Sequence, residues 1–164
     1  MRFGARLGHA TEGKRHSGRE LPNAGPRRAL TSSAVSWEAV ALAFLGSHLA
    51  GDFLLQTDWQ ARRKRCGLGR DPVARRALAT HVLTYLVAFV PALVWLASGL
   101  GAWKTLGVAA LVAVPHLVID DRRLVEEWVR RVKGARELAP EVQMAVDQSF
   151  HVLCLIAVAL LVSV

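Results

Sequence analysis

Cysteine is almost absent from this sequence, since only Cys66 and Cys154 occur among 164 residues. One lies in a charged connector and the other in an apolar run, so we expect no disulfide between them. The sequence also lacks a Walker loop, a dinucleotide-binding fingerprint, a zincin motif and a serine nucleophile elbow. A small disulfide-stabilised secreted domain is therefore excluded, and no common catalytic motif identifies a reaction.

The charged residues are separated from the apolar residues along the chain. Apolar residues make up 52% of the sequence and charged residues 21%, while the mean hydropathy is +0.28. A positive mean hydropathy beside this much charge favours a membrane protein with charged connectors over a soluble globular protein. The net charge is +8, but no basic helix carries aromatic residues between its charges. We therefore expect no nucleic-acid partner.

Residues 1–34 differ in composition from the rest of the chain. They contain seven Lys or Arg and two Glu, hence a net charge of +5, with several glycines and no apolar run. Such a segment cannot bury enough surface to offset its ordering entropy, and it lacks the apolar core of a secretory signal. We expect a disordered basic tail over residues 1–34 and a folded domain over residues 35–164.

Four apolar runs follow, each about 20 residues long. They cover residues 37–56, 78–98, 102–120 and 144–164. A helix of about 20 residues is roughly 30 Å long, which matches the hydrocarbon core of a bilayer. Because backbone polar groups in lipid must be satisfied within the segment, helices are expected. The predicted fold is all-α, an integral membrane bundle of four transmembrane helices.

The connectors between the runs predict how the chain is oriented. The first and third connectors together carry thirteen Lys or Arg, whereas the second carries only Lys104. The positive-inside rule then places both long basic loops in the cytoplasm, where membrane lipids and a protein partner could contact them. In the third loop, apolar residues recur at helical spacing and predict a short amphipathic helix, either interfacial or solvated and packed on the other loop. These residues are Leu124, Val125, Trp128, Val129 and Val132.

Every apolar run contains polar residues that are costly to place in a membrane. Each run carries two of them four residues apart, so that both lie on one helix face. The pairs are His48 with Asp52, His81 with Tyr85, His116 with Asp120, and Asp147 with His151. In an up-and-down bundle all four pairs fall at the same, cytoplasmic, side of the membrane. We therefore expect four histidines and three aspartates to meet in one layer.

A metal site is the leading interpretation of this layer. Neutral imidazole and carboxylate are ligands of Zn, Mn or Fe, so a divalent metal is the expected cofactor. The candidate ligands are His48, Asp52, His81, His116, Asp120, Asp147 and His151. With an open position, the metal could activate water for hydrolysis, and one of Asp52, Asp120 and Asp147 would be the catalytic base. Gln56, Gln148 and Tyr85 would hold the ligands in place.

Two other interpretations of the polar layer remain open. Intramembrane histidines and aspartates also form proton or ion relays in transport proteins. Alternatively, they serve only as hydrogen bonds between helices, at about 0.6 kcal/mol each, in a protein that acts by interaction. Asp58 and Lys64, in the first connector, are expected to be solvated.

The segment H-L-A-G-D-F-L-L-Q-T-D-W-Q-A, residues 48–61, resembles the signature of a family of small bacterial integral membrane proteins known only as a domain of unknown function. That family shows H-L-x-G-D-F-x-x-Q, then a lone His, then H-x-x-x-D, then D-Q-x-x-H. The later motifs match His81, His116 with Asp120, and Asp147 with Gln148 and His151. Lys64 is similar to the family's Lys after the first motif. The third motif differs, because Arg122 and Arg123 follow where the family has Lys.

This resemblance covers roughly residues 40–155. It implies a location in the bacterial inner membrane and a His/Asp set that works as a unit. It implies no activity, since none is assigned to that family.

Overall fold

The structure is a computed structural model that describes residues 36–163, and in this range it is all-helical. The tail predicted for residues 1–34 lies outside the described residues. In chain order the helices are α1 (Trp37–Leu49), which continues directly into a π-helical segment (Ala50–Leu54), then α2 (Asp58–Arg63), α3 (Pro72–Leu100), α4 (Ala102–Asp120), α5 (Arg123–Val132) and α6 (Pro140–Val162). We call Ala50–Leu54 the π segment.

Three of these helices, α3, α4 and α6, are long and apolar enough to cross a membrane. The first apolar run, predicted as one helix over residues 37–56, is instead divided between α1 and the π segment. Helix α4 begins at its predicted residue 102, whereas α3 begins six residues before the predicted residue 78. Asp71 caps α3 by accepting a hydrogen bond from Val73 N at 2.9 Å, and Pro72 occupies the first turn. Proline is favoured there because that N–H has no partner within the helix.

The first connector contains a helix that the apolar pattern did not reveal. Thr57 caps α2, and its side chain accepts from Gln60 N while the Gln60 side chain accepts from Thr57 N at 2.8 Å. This is a capping box, in which two otherwise unpaired N–H groups are satisfied reciprocally.

The long helices pack around an apolar core. Helix α1 packs against α3 and α6, and α4 packs against the same two helices. The core ends at Tyr85, which lies next to Phe89 with the ring centroids 4.7 Å apart. Beyond Tyr85, on the side of the long connectors, buried polar side chains occur beside apolar ones, among them His81, His116 and Asp120. The apolar core therefore lies on one side of the buried polar groups.

Helix α5 is present in the third connector, where a short helix was predicted. Val125 and Val129 are buried, and Trp128 packs edge-to-face on Phe150 of α6 with ring centroids 5.4 Å apart. Helix α5 thus places one apolar side against the rest of the protein.

Candidate metal centre

The four helix segments bring all seven predicted ligand residues together. The end of α1 supplies His48 and the π segment Asp52, while α3, α4 and α6 supply the others. All seven residues are buried: His48, Asp52, His81, His116, Asp120, Asp147 and His151. Their side chains form one continuous network, in which each residue has a nitrogen or oxygen within 3.8 Å of another member.

The centre of the network is a group of three residues, His81, His116 and Asp120, that could hold one metal ion. His81 Nε2 lies 2.7 Å from Asp120 Oδ2, His116 Nε2 lies 3.2 Å from the same oxygen, and the two nitrogens are 3.1 Å apart. Tetrahedral zinc with ligand bonds of 2.0–2.1 Å requires ligand atoms about 3.3–3.4 Å apart. Two of the observed separations are 0.1–0.3 Å shorter than this spacing, and the shortest, between His81 and Asp120, is 0.6–0.7 Å shorter.

Asp52, in the π segment, also lies close to these two nitrogens. Its Oδ1 lies 3.4 Å from His81 Nε2 and 3.6 Å from His116 Nε2. Asp52 also belongs to a second group that could hold an ion, with His48 and His116. The two groups share His116, which makes this imidazole the middle of the site.

Several buried atoms at the site lack a hydrogen-bond partner within residues 36–163. They are Asp52 Oδ1, His116 Nδ1, Asp120 Oδ2, Asp147 Oδ1 and His151 Nε2. Asp120 Oδ2 has no hydrogen bond of good geometry but is paired with the Lys64 ammonium at 2.8 Å, so the other four atoms are the ones without a partner in that range. A buried polar atom without a partner costs about 1–3 kcal/mol, and more when it is charged. This many such atoms in one place fits a site where a bound ion would be the partner.

His48 differs from the other histidines because both of its nitrogens have partners. Gln148 donates from Nε2 to Asp52 Oδ2 at 3.4 Å, so its oxygen faces His48 Nε2 at 2.9 Å and accepts from it. His48 Nδ1 is then an acceptor, and it receives the hydroxyl of Tyr85 at 3.2 Å. In this arrangement Gln148 and Tyr85 orient His48, but both of its nitrogens are hydrogen-bonded and neither keeps a free lone pair for a metal.

His151 has the hydrogen-bonding pattern of a metal ligand. Its Nδ1–H donates to the Asp147 carbonyl oxygen at 3.0 Å, which leaves an unprotonated Nε2 facing inward. That nitrogen lies 3.7 Å from Asp120 Oδ1 and has no partner among the described residues. Metal-ligating histidines commonly donate their second N–H to a carbonyl in this way.

The other predicted residues lie around this centre. The Gln56 amide nitrogen is 3.0 Å from His81 Nδ1 and 3.1 Å from His81 Nε2. Asp147 is at the edge, with its Oδ2 3.8 Å from His151 Nδ1, and it belongs to neither of the groups that could hold an ion. The Tyr85 ring stacks on His116, with centroids 3.5 Å apart and the planes inclined by 10°.

Lys64 was expected to be solvated, but the structure buries it at the site. It is 6% exposed, and its Nζ lies 2.8 Å from Asp120 Oδ2. Hydropathy could not reveal this, because Lys64 stands in a run of four basic residues whose other members are exposed. The only signal in the sequence was its similarity to a lysine of the family named above.

The basic connectors around the site are tied together by exposed ion pairs. Arg65 Nε lies 2.8 Å from Glu126 Oε1, and this contact raises the pKa of Arg65. Hydrogen bonds from Arg130 and Arg131 lower the pKa of Glu127. These connector charges therefore pair with one another and not with the buried charges of the site.

Comparison with known proteins gives a family but no activity. Residues 40–164 match the family described as "Protein of unknown function (DUF3307)". No curated protein and no solved structure matches the chain. The matched region is more than half of the chain and contains the π segment, α3, α4, α6 and all of α1 except its first three residues. The chain therefore belongs to this family of proteins of unknown function.

Proposed function

We propose that this protein is an integral membrane protein that binds one divalent metal ion in its buried His/Asp cluster. The observation that carries the proposal is the central group of His81, His116 and Asp120, whose three ligand atoms lie 2.7–3.2 Å from one another. Without an ion, Asp52 Oδ1 and the inward nitrogen of His151 are buried atoms with no hydrogen-bond partner among the described residues. A divalent cation in the cluster would compensate such buried atoms.

The donor set favours Zn, Mn or Fe. Imidazole nitrogen with carboxylate oxygen suits these metals, whereas Mg and Ca prefer oxygen ligands alone. His81 serves as a ligand through Nε2 when its Nδ1 carries the proton. The Gln56 amide, 3.0 Å from Nδ1 and 3.1 Å from Nε2, is the side chain in a position to orient this ring.

The same proposal includes a fourth membrane crossing. Helix α1 and the π segment form a continuous helical stretch of 13 and 5 residues, which at 1.5 Å per residue is about 27 Å long. With α3, α4 and α6 this gives four crossings, and both long basic connectors lie on the cytoplasmic side of the bacterial inner membrane. Helix α5 then lies at the membrane surface, next to the metal site.

Hydrolysis is the reaction class that this site fits best. The central group offers three protein ligands, as catalytic zinc sites do, and a divalent ion with an open position activates water for hydrolysis. Asp147 is the carboxylate available as a base, because it is 9% exposed and belongs to neither ion-sized group. A relay across the membrane fits less well. Toward the α3–α4 connection, the buried side chains of the described residues are apolar except for Thr105.

The metal content of the purified full chain tests the proposal. We expect about one equivalent of a transition metal in the wild type and much less in His116→Gln, which removes the ligand shared by both groups. The matched control is His16→Gln, because His16 lies in the segment predicted to be a tail. A chelator should lower the melting temperature of the wild type and of the control, but not that of His116→Gln.

Two results would contradict metal binding. One is equally low metal in all three proteins, including after dialysis against Zn²⁺ or Mn²⁺. The other is a melting temperature of the wild type that neither ion raises. A metal-loaded protein that hydrolyses no ester or phosphoester would refute hydrolysis alone.

A further inference from the structure

Lys64 is the one buried lysine or arginine of residues 36–163. Its ammonium nitrogen lies 2.8 Å from Asp120 Oδ2, the oxygen that also faces the two central imidazoles. Burying a lysine is costly unless it is paired, and here the partner is a carboxylate of the candidate metal centre. The position of Lys64 therefore concerns the site directly.

The backbone around Lys64 is held in place by the turn that follows α4. Cys66 N donates to Asp121 O at 3.0 Å, and Leu68 N donates to Asp121 Oδ1 at 2.7 Å. Asp121 directly follows Asp120, so the same turn fixes both partners of the ion pair. Gly67 packs so closely that a Cβ there would lie 2.5 Å from the Leu78 Cβ. These hydrogen bonds and this close packing fix the backbone near Lys64, so the position of Lys64 at the site does not depend on its flexible side chain alone.

An ion bound at the central group would lie close to this ammonium. With a ligand bond of about 2.0–2.1 Å to Asp120 Oδ2, the ion would be at most about 4.9 Å from Lys64 Nζ. Two positive charges at that distance in a buried site repel each other strongly. Lys64 also neutralises one of three carboxylates, Asp52, Asp120 and Asp147, which changes their summed charge from −3 to −2.

We propose that Lys64 sets the affinity and the charge preference of the metal site, as an internal cation that weakens binding and leaves a charge matched by one divalent ion. This inference rests on the proposed function. In this regulatory role, Lys64 weakens binding enough for the bound ion to exchange. It also explains why the loop that carries Lys64 is built onto the helix end that carries Asp120.

The test compares Lys64→Met with Arg63→Met, the exposed preceding residue at the end of α2, in the purified full chain. Lys64→Met should bind Zn²⁺ or Mn²⁺ at least about tenfold more tightly than the wild type, because the repulsion is gone. Without metal, it should melt at a lower temperature, since Asp120 loses its partner, and Zn²⁺ should raise its melting temperature more than that of the wild type. Arg63→Met should match the wild type in both measurements.

A second substitution separates a charge effect from a structural one. Asp147→Asn removes one negative charge without touching either ion-sized group. Combined with Lys64→Met, it should return the affinity toward that of the wild type. A Lys64→Met protein that binds metal with unchanged or weaker affinity overturns the role of Lys64, and tighter binding that Asp147→Asn does not reduce overturns its electrostatic basis. A wild type that binds no metal overturns the proposed function itself.

Discussion

Gly51 offers the sharpest test of how the site is assembled. It lies in the π segment, directly before Asp52, and a Cβ on it would be 2.6 Å from Tyr85 Cδ2 and 3.3 Å from Tyr85 Cα. The Tyr85 ring cannot move aside freely, because it stacks on His116 and its hydroxyl reaches His48. Gly51→Ala should therefore push the π segment away from α3 and displace Asp52.

The size of the effect follows from a matched control. Gly46→Ala lies in α1, where a Cβ would meet nothing within 4 Å. Both substitutions gain the same backbone term, about 1 kcal/mol for Gly to Ala within a helix. Gly51→Ala adds overpacking of about 1–3 kcal/mol, so the two variants should differ in stability by that amount.

Thermal unfolding in detergent measures this difference, and metal titration measures its effect on the site. Gly51→Ala should melt roughly 2–12 °C below Gly46→Ala, at 2–4 °C per kcal/mol for a chain of this size. Its metal affinity should fall about 10–100-fold, since Asp52 would no longer face the imidazoles correctly. Equal melting temperatures together with equal affinities would refute the argument that the π segment needs a glycine to approach α3.

Three further variants test the surroundings of the site. Gln148→Ala should lower stability by about 1–3 kcal/mol in chemical unfolding, because one imidazole and one carboxylate lose their shared partner; Gln143→Ala, near the start of the same helix, should change it little. Asp121→Ala should lower the stability by about 1.5–3 kcal/mol, because Leu68 N loses a charged acceptor; unchanged stability would contradict the claim that this hydrogen bond holds the loop in place. Because two arginines lower the pKa of Glu127 below its ordinary value, its stabilising effect should be present at neutral pH and lost as the pH falls through the acidic range. Glu127→Gln should therefore differ most from the wild type at neutral pH, and an equal difference in acid would speak against the ion pairs.

The spacing of polar residues predicted much of the site. His48 with Asp52, and His116 with Asp120, are each four residues apart, and helical geometry alone puts each pair on one face. Chain reversal between successive apolar helices then predicts that the pairs meet at one end. The structure places them there, because α1 and α4 both pack against α3 and α6.

Other features could not be predicted because they depend on contacts between distant segments. The π segment is not evident from hydropathy, since the mean hydropathy of a segment is the same whether it forms an α-helix or a π-helix. The roles of the histidine nitrogens depend on partners far away in the chain, such as Gln148, which is 100 residues from His48. The burial of Lys64 depends on a loop that pairs with Asp121 across 53 residues.

The sequence alone determined that the chain is helical, that its apolar segments are long enough to enter a membrane, and which residues are candidates for the site. These properties follow from local periodicity and segment length, which need no knowledge of the neighbours. Only the tertiary structure decided that His81, His116 and Asp120 form the centre, that His151 presents a free nitrogen, and that Lys64 shares Asp120 with them. These facts depend on distances of about 3 Å between atoms on different helices, which packing sets and which no local pattern records.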